Sequence, residues 1–130
     1  HAEIMKISAD EVEFLTGETD VERGVRSLWH DEMRLVAVTL GREGCRWFTA
    51  EASGTVPGYR VAAVDTTGAG DAFMAGLLAE WLRAGEPIDD PAAIDRISRF
   101  ANAAGAVTTT ARGAIPSLPD RAAIDRLMAA

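Results

Sequence analysis

The ten residues Val64-Asp65-Thr66-Thr67-Gly68-Ala69-Gly70-Asp71-Ala72-Phe73 constrain this chain more than any other stretch. They follow an apolar run, Tyr59-Arg60-Val61-Ala62-Ala63-Val64, which reads as a buried strand. They lead into a helical run over residues 72–82, whose end is marked by Gly85 and Pro87. Strand, glycine turn and helix start, in that order, make a site for an anion. Gly68, Ala69 and Gly70 add almost no side-chain bulk, so backbone N–H groups can close on an oxyanion. The unpaired donors and the positive end of the helix dipole converge on the same point.

Asp71 makes this more than a phosphate cradle. A carboxylate among those donors repels a resting phosphate, whereas a phosphoryl group in transfer, with an attacking hydroxyl beside it, needs a base there. The alternative is that Asp71 caps the helix, as aspartate often does in a first turn. Spacing leaves both open. No Gly-Lys-Ser/Thr follows, which excludes a Walker A loop. Phe73 occupies the third glycine position of a dinucleotide fingerprint, which excludes that pattern too.

Bulk properties narrow the remaining classes. A chain of 130 residues can bury one real core, and 48% hydrophobic with 25% charged residues is the composition of a soluble globule. The net charge of −7 argues against nucleic acid as partner. A nucleotide is still compatible, since local backbone donors and a metal can outweigh a global negative field. Cys45 is the single cysteine, so no intrachain disulfide forms, and its place in an expected strand gives it a packing role. No stretch resembles a signal peptide or a spanning helix, the run over 72–82 being too short and too rich in alanine, so no membrane is expected and a cytoplasmic chain fits.

The remaining elements read in order. Ile4-Met5-Lys6-Ile7 is a short strand, and Ser8-Ala9-Asp10-Glu11 is a capping box opening a helix with Val12 and Leu15 on its buried face and Gly17 at its end. Asp20 caps a second helix through Trp29, and His30 lies near its C-terminal dipole. Residues 35–40 form an apolar strand, Gly41-Arg42-Glu43-Gly44 turns the chain, and residues 45–49 return as a hairpin. Residues 52–58 are a loop or edge segment. The helix after the glycine turn is expected to be buried on most sides. Asp90 caps a helix with Pro91 in its first position and Ile94, Ile97, Ala101, Ala104 and Val107 as its stripe, until Thr108-Thr109-Thr110 loosens it. Gly113 and Pro116 shape a tight loop, and Pro119-Asp120 opens a last helix that docks through Ala123, Ile124, Leu127 and Met128. No repeat or linker appears, so residues 1–130 form one domain.

Asp65-Thr66-Thr67-Gly68-Ala69-Gly70-Asp71-Ala72-Phe73 resembles the signature of the ribokinase-like (PfkB) carbohydrate kinases. Val38-Thr39-Leu40-Gly41-Arg42-Glu43-Gly44-Cys45, Phe100-Ala101-Asn102-Ala103-Ala104-Gly105 and Arg112-Gly113-Ala114-Ile115-Pro116-Ser117-Leu118-Pro119 continue the likeness in the family's order. With Lys6-Ile7-Ser8-Ala9-Asp10-Glu11-Val12-Glu13-Phe14-Leu15-Thr16-Gly17, the wording is nearest the fructokinase branch. The likeness implies an α/β, three-layer Rossmann-like fold with a mixed, mostly parallel sheet and a β-hairpin. It covers only the C-terminal part of that fold, and the sugar-binding half and lid are expected to be absent.

The resemblance also implies roles. ATP would phosphorylate a sugar hydroxyl, fructose to fructose 6-phosphate, with Asp71 as base and sugar contact and the Gly68, Ala69 and Gly70 amides as anion hole. Thr39, Leu40, Gly41, Arg42, Glu43, Gly44, Gly70 and Asn102 would contact the nucleotide. For the residues alone, a plain glycine hairpin and a solvated mid-helix Asn102 are the alternatives. Glu11 would stand near a magnesium ion, although Ser8 occupies the family's asparagine position beside it. A monovalent cation such as K+ would be held by Asp65, Thr67, Thr108, Ala111, Gly113 and Ser117, with an Asp65 turn cap as the alternative. This stretch alone is expected to be inactive, and a free sheet edge invites association, including homo-oligomers. The other readings are a kinase for a different sugar, sugar acid or nucleoside, and a non-catalytic nucleotide-binding module.

Overall fold

A computed structural model describes residues 3–85, 90–110 and 120–130. Strand β1 (Glu3–Ser8) runs into helices α1 (Ala9–Thr16) and α2 (Val21–Leu28), and β2 (Met33–Thr39) follows. A 3-10 turn at Gly41–Glu43 leads to β3 (Gly44–Phe48) and β4 (Ser53–Pro57). Helices α3 (Ala69–Ala84), α4 (Pro91–Thr109) and α5 (Arg121–Ala129) complete the chain.

The strands form one sheet in the order β1-β2-β3-β4. β2 is sheathed on both faces, which is why it reads as an unbroken apolar run. Its alternate side chains divide between two cores. Leu35 and Ala37 join Trp47, Val56, Phe73, Leu77, Trp81, Ile94 and Ile97 beneath α3 and α4. Val36 and Val38 join Ile7, Val12, Val25 and Phe48 beneath α1 and α2. The three-layer α/β class expected from sequence is therefore present. Each large apolar side chain fully buried in these cores contributes about 1.5–3 kcal/mol. A satellite cluster of Phe100, Ala103, Ala104 and Ile124 seats α5 on α4.

Local signals were accurate at helix ends. Ser8 accepts from the Glu11 N–H at 3.1 Å while Glu11 Oε1 accepts from the Ser8 N–H at 2.9 Å, the reciprocal capping box. Gly17 ends α1 at φ 75°, and Asp20, Asp90 and Asp120 cap α2, α4 and α5.

Several expectations need correction. Residues 59–64 form no strand. Among the described residues they have no ladder partner, Val64 is 56% exposed, and the Val64 and Asp65 amides both donate to the Thr109 carbonyl at the end of α4. Apolar composition alone cannot make a strand without a neighbour to pair with. The sheet is mixed, but only β1–β2 is parallel; β2–β3 and β3–β4 are antiparallel. In α1 only Val12 is buried, and Leu15 is 61% exposed, because the helix leans on α2 through one short seam. Helix α3 buries a single stripe, Ala72, Phe73, Gly76, Leu77 and Trp81, and leaves Leu78 and Leu82 exposed. The threonine run does not loosen α4 before Thr109. Thr108, Thr109 and Thr110 each turn a hydroxyl back onto a carbonyl three or four residues earlier, at 2.7–3.0 Å, keeping the helix end closed. The Gly113–Pro116 loop lies outside the described residues.

Candidate active site

The glycine turn is built by its own backbone. Gly68 is the N-cap of α3 at φ 80° and ψ −1°, a left-handed conformation that glycine adopts without strain. Asp65 Oδ1 accepts from the Thr67 N–H at 2.9 Å, and the Ala69 N–H donates to the Thr66 carbonyl at 3.2 Å. The first intrahelical bond runs from the Ala72 N–H to the Gly68 carbonyl at 2.9 Å. The Gly70 and Asp71 amides precede it and have no acceptor among the described residues. They are the free donors an oxyanion requires.

Asp71 is the third residue of α3 and is exposed. Among the described residues no side chain caps this helix, so the capping alternative for Asp71 finds no hydrogen bond there. Among the described residues its carboxylate has no hydrogen-bond partner.

The carboxyl ends of parallel β1 and β2 supply the second half of the site, where open α/β sheets place their ligands. A cavity of about 480 Å³ opens there, lined by Ser8, Ala9, Asp10, Thr39, Leu40, Gly41 and Glu43. Four expected nucleotide contacts, Thr39, Leu40, Gly41 and Glu43, are thus in one wall. Arg42 is exposed outside that lining, and Gly44 is buried in β3 opposite Pro57. Neither Asp71 nor the Gly68–Gly70 turn lines the cavity itself.

Asn102 is buried at 9% exposure, so the solvated alternative is wrong. Its Nδ2 donates to the Val56 and Pro57 carbonyls at 3.3 and 3.4 Å, tying α4 to β4. Burial pushes the neighbouring Cys45 thiol up to about 12, with the Asn102 side chain opposing that shift, so Cys45 is the packing residue expected. His30 stands beyond the end of α2 and meets Glu3 at 3.3 Å.

The metal assignments divide. Among the described residues no three acidic, His or Cys groups cluster to hold an ion. Glu11 has one oxygen engaged by Ser8, and the Ser8 hydrogen bonds, backbone first and then side chain, hold its carboxyl below the ordinary value; Lys6 acts in the same direction. A lone carboxylate of this kind suits an ion held mainly through water and phosphate oxygens. Of the cation set, the Asp65 side chain serves the turn and the Thr108 hydroxyl is bonded to the Ala104 carbonyl at 3.0 Å. Ala111, Gly113 and Ser117 lie outside the described residues.

Sequence reasoning passed over Lys6. β1 pairs Ile4 with Leu35 and Lys6 with Ala37, so Lys6 is on the α3-facing side of the sheet. A Cβ built on Gly70 would lie 2.9 Å from Lys6 Nζ, so the ammonium stands over the mouth of α3. The available signal was a lysine interrupting an apolar strand that is covered on both faces.

Comparison with known proteins bears on this geometry. Residues 1–121 match the family described as pfkB family carbohydrate kinase. The chain is 48% identical over 128 residues to a probable fructokinase-5 of Arabidopsis thaliana, covering 98% of this chain and 40% of that protein. A Vibrio cholerae fructokinase double mutant, solved with fructose, ADP and a potassium ion, superposes with a TM-score of 0.85 at 37% identity, over 96% of this chain and 40% of that one. An aminoimidazole riboside kinase from Salmonella enterica, solved with aminoimidazole riboside and an ATP analogue, gives 0.83 at 36% identity, over 99% of this chain and 43% of that one.

Proposed function

The chain belongs to the pfkB family of carbohydrate kinases, and we propose that it forms the nucleotide side of an enzyme that transfers a phosphoryl group from ATP to a sugar hydroxyl. The observation that carries this reading is the exposed Asp71 carboxylate in the first turn of α3, beside amides with no acceptor among the described residues. Asp71 takes the proton of the attacking hydroxyl. The amides at Gly68, Gly70 and Asp71 hold the charge that gathers on the phosphoryl oxygens, while the Ala69 amide expected to join them is engaged by the Thr66 carbonyl; each such open donor contributes roughly 3 kcal/mol to the transition state. Thr39, Leu40, Gly41, Arg42, Glu43 and Gly44 border the nucleotide's phosphates, and Asn102 fixes the β4–α4 junction on the base side.

Glu11 and the water around it are the place for a magnesium ion, which supplies charge neutralisation between the nucleotide phosphates when bound. Asp65, Thr67 and Thr108, with Ala111, Gly113 and Ser117, are the candidate groups for a monovalent cation that would stiffen the turn. Fructose, at its primary 6-hydroxyl, is the acceptor that the fructokinase relatives favour. The riboside kinase likeness, at 36% identity against 37% for the Vibrio cholerae fructokinase, keeps a nucleoside acceptor as the second reading. A non-catalytic nucleotide-binding module is the reading from outside the enzyme class.

The chain spans 40% of the length of the Arabidopsis relative. We expect these 130 residues alone to phosphorylate no sugar at a useful rate. Association through the edge of β1, which pairs only with β2 among the described residues, is the expected route to a partner segment or copy. The deciding experiment is Asp71→Asn in the full-length protein, assayed against a sugar and nucleoside panel with ATP. Loss of turnover with ADP affinity retained supports the base; a variant turning over at near-normal rate removes it.

A further inference from the structure

We infer that the hollow where α3, α4 and α5 meet is a second ligand site, apart from the glycine turn, and that it takes an organic phosphate monoester. The inference stands on its own residues and does not need the phosphoryl-transfer reading.

The hollow encloses about 410 Å³, the size of a site for a small organic ligand. Part of its lining is apolar: Ile97 and Phe100 of α4 are each 4% exposed, and Met128 of α5 joins them. Three guanidinium groups share that lining, Arg83 near the end of α3, Arg96 in α4 and Arg121 at the start of α5. A chain with a net charge of −7 thus brings one arginine from each of three helices to a single cavity.

The three are not equivalent. Arg121 is committed: it donates to Glu80 Oε1 at 2.8 Å, and its guanidinium lies over the Phe100 ring at 4.5 Å. That pairing braces α5 against α3 and α4. Arg83 stands 3.8 Å from the same Glu80 oxygen, beyond hydrogen-bond reach, with 64% of its side chain exposed. Arg96 is exposed and makes no hydrogen bond or ion pair among the described residues. Two cationic forks therefore line the cavity with their donors unspent.

The ligand class follows from those donors. A phosphate monoester carries about two negative charges and three terminal oxygens, enough to engage two guanidinium forks at once. A carboxylate, with a single charge, satisfies one fork and leaves the other. Asp125 also lines the cavity, has no partner among the described residues, and is an acceptor for a ligand hydroxyl. Ile97, Phe100 and Met128 suit the carbon face of the group that bears the phosphate. A sugar phosphate and a nucleoside monophosphate share this chemistry.

The hollow lies well away from the catalytic turn. Glu80 and Arg83 follow Asp71 by nine and twelve residues on α3, roughly 14–18 Å along the helix at about 1.5 Å per residue. The competing account makes the arginines a surface ion-pair network. It explains Arg121 and Glu80, but it gives Arg96 nothing to pair with. Nor does it explain why three packed helices leave a cavity lined by Ile97 and Phe100.

The test uses the full-length protein, saturated with fructose and a non-hydrolysable ATP analogue so that the catalytic site is occupied. Fructose 6-phosphate, adenosine 5′-monophosphate and inorganic phosphate are each titrated by calorimetry, and the two esters separate the two sources. At least one ester should bind with a Kd of about 0.1–1 mM. Inorganic phosphate should bind about tenfold more weakly, having no carbon face to bury. The double variant Arg83→Ala, Arg96→Ala should weaken the ester about tenfold or more. Both side chains are exposed, so this variant is expected to fold as the parent does. Amide exchange should slow in residues 96–100 and 121–128 when the ester is bound. Should the protein bind neither fructose nor the analogue, the same titrations decide the site without them. No ester binding below about 10 mM overturns the inference, as does binding untouched by the double substitution. Inorganic phosphate binding as tightly as the esters, or protection confined to other residues, overturns it equally.

Discussion

The Trp47 indole N–H donates to Asp95 Oδ1 at 2.5 Å, fastening β3 to α4 across the larger core. Trp47 is buried at 1% exposure, so its ring is committed to that core and its one polar atom has to find a partner there. Asp95→Ala leaves a buried donor without an acceptor. We expect a loss of about 1–3 kcal/mol in chemical denaturation, with Asp95→Asn costing less because it keeps a carbonyl acceptor. Equal stability of Asp95→Ala and the parent would show that water serves the indole as well as the carboxylate does.

The seam between α1 and α2 is closed by a glycine. A Cβ on Gly24 would lie 2.3 Å from Val12 Cγ1, and Val12 is fully buried and branched at its β-carbon. Gly24→Ala should therefore destabilise by about 1–3 kcal/mol despite its better helix propensity. Combining it with Val12→Ala makes room for the new methyl, so the double variant should lose less than the sum of the two single losses. Strict additivity would show that the helices separate freely.

Burial raises the Cys45 thiol to about 12, so the folded state keeps it protonated where the unfolded chain ionises from about its ordinary value of 9.0. The folded protein then binds the extra proton, and stability falls as pH rises through that window. Cys45→Ala should flatten the alkaline decline of Tm. Thiol labelling of the folded protein should be slow until denaturant is added; rapid labelling under native conditions would contradict the burial.

Glu11 behaves in the opposite sense. Its carboxyl is held below the ordinary value of 4.5 by the Ser8 hydrogen bonds, so its contribution is complete above that value and fades as pH falls through the lower folded one. Glu11→Gln should reduce the acid sensitivity of α1, measured by amide exchange in residues 9–16. Ser8→Ala should weaken the same helix by about 1 kcal/mol at neutral pH. A Ser8→Ala variant with unchanged exchange would show that tertiary contacts alone hold the first turn.

Much of the fold was legible because its signals are local. The capping box at Ser8 and Glu11, the stop at Gly17 and the caps at Asp20, Asp90 and Asp120 each involve residues within four positions of one another. The unbroken apolar run of β2 announced a strand covered on both faces. Residues 59–64 misled because a strand is a relation between two segments, and an apolar run carries no record of its partner. The exposed faces of α1 and α3, with Leu15 and Leu82 outside, escaped notice because hydrophobicity marks what can be buried, and the neighbours decide what is.

The candidate site divides along the same line. The amino-acid sequence alone determined the glycine turn, the carboxylate at Asp71 and the family, since these lie in one continuous stretch whose chemistry follows from residue type and spacing. Only the tertiary structure decided that Asp71 makes no capping bond among the described residues, that Asn102 is buried against β4, and that Lys6 reaches Gly70 from a strand at the other end of the chain. Each of those depends on strand register and on helix packing across the sheet, which arise from the summed burial of many side chains and are written in no single segment.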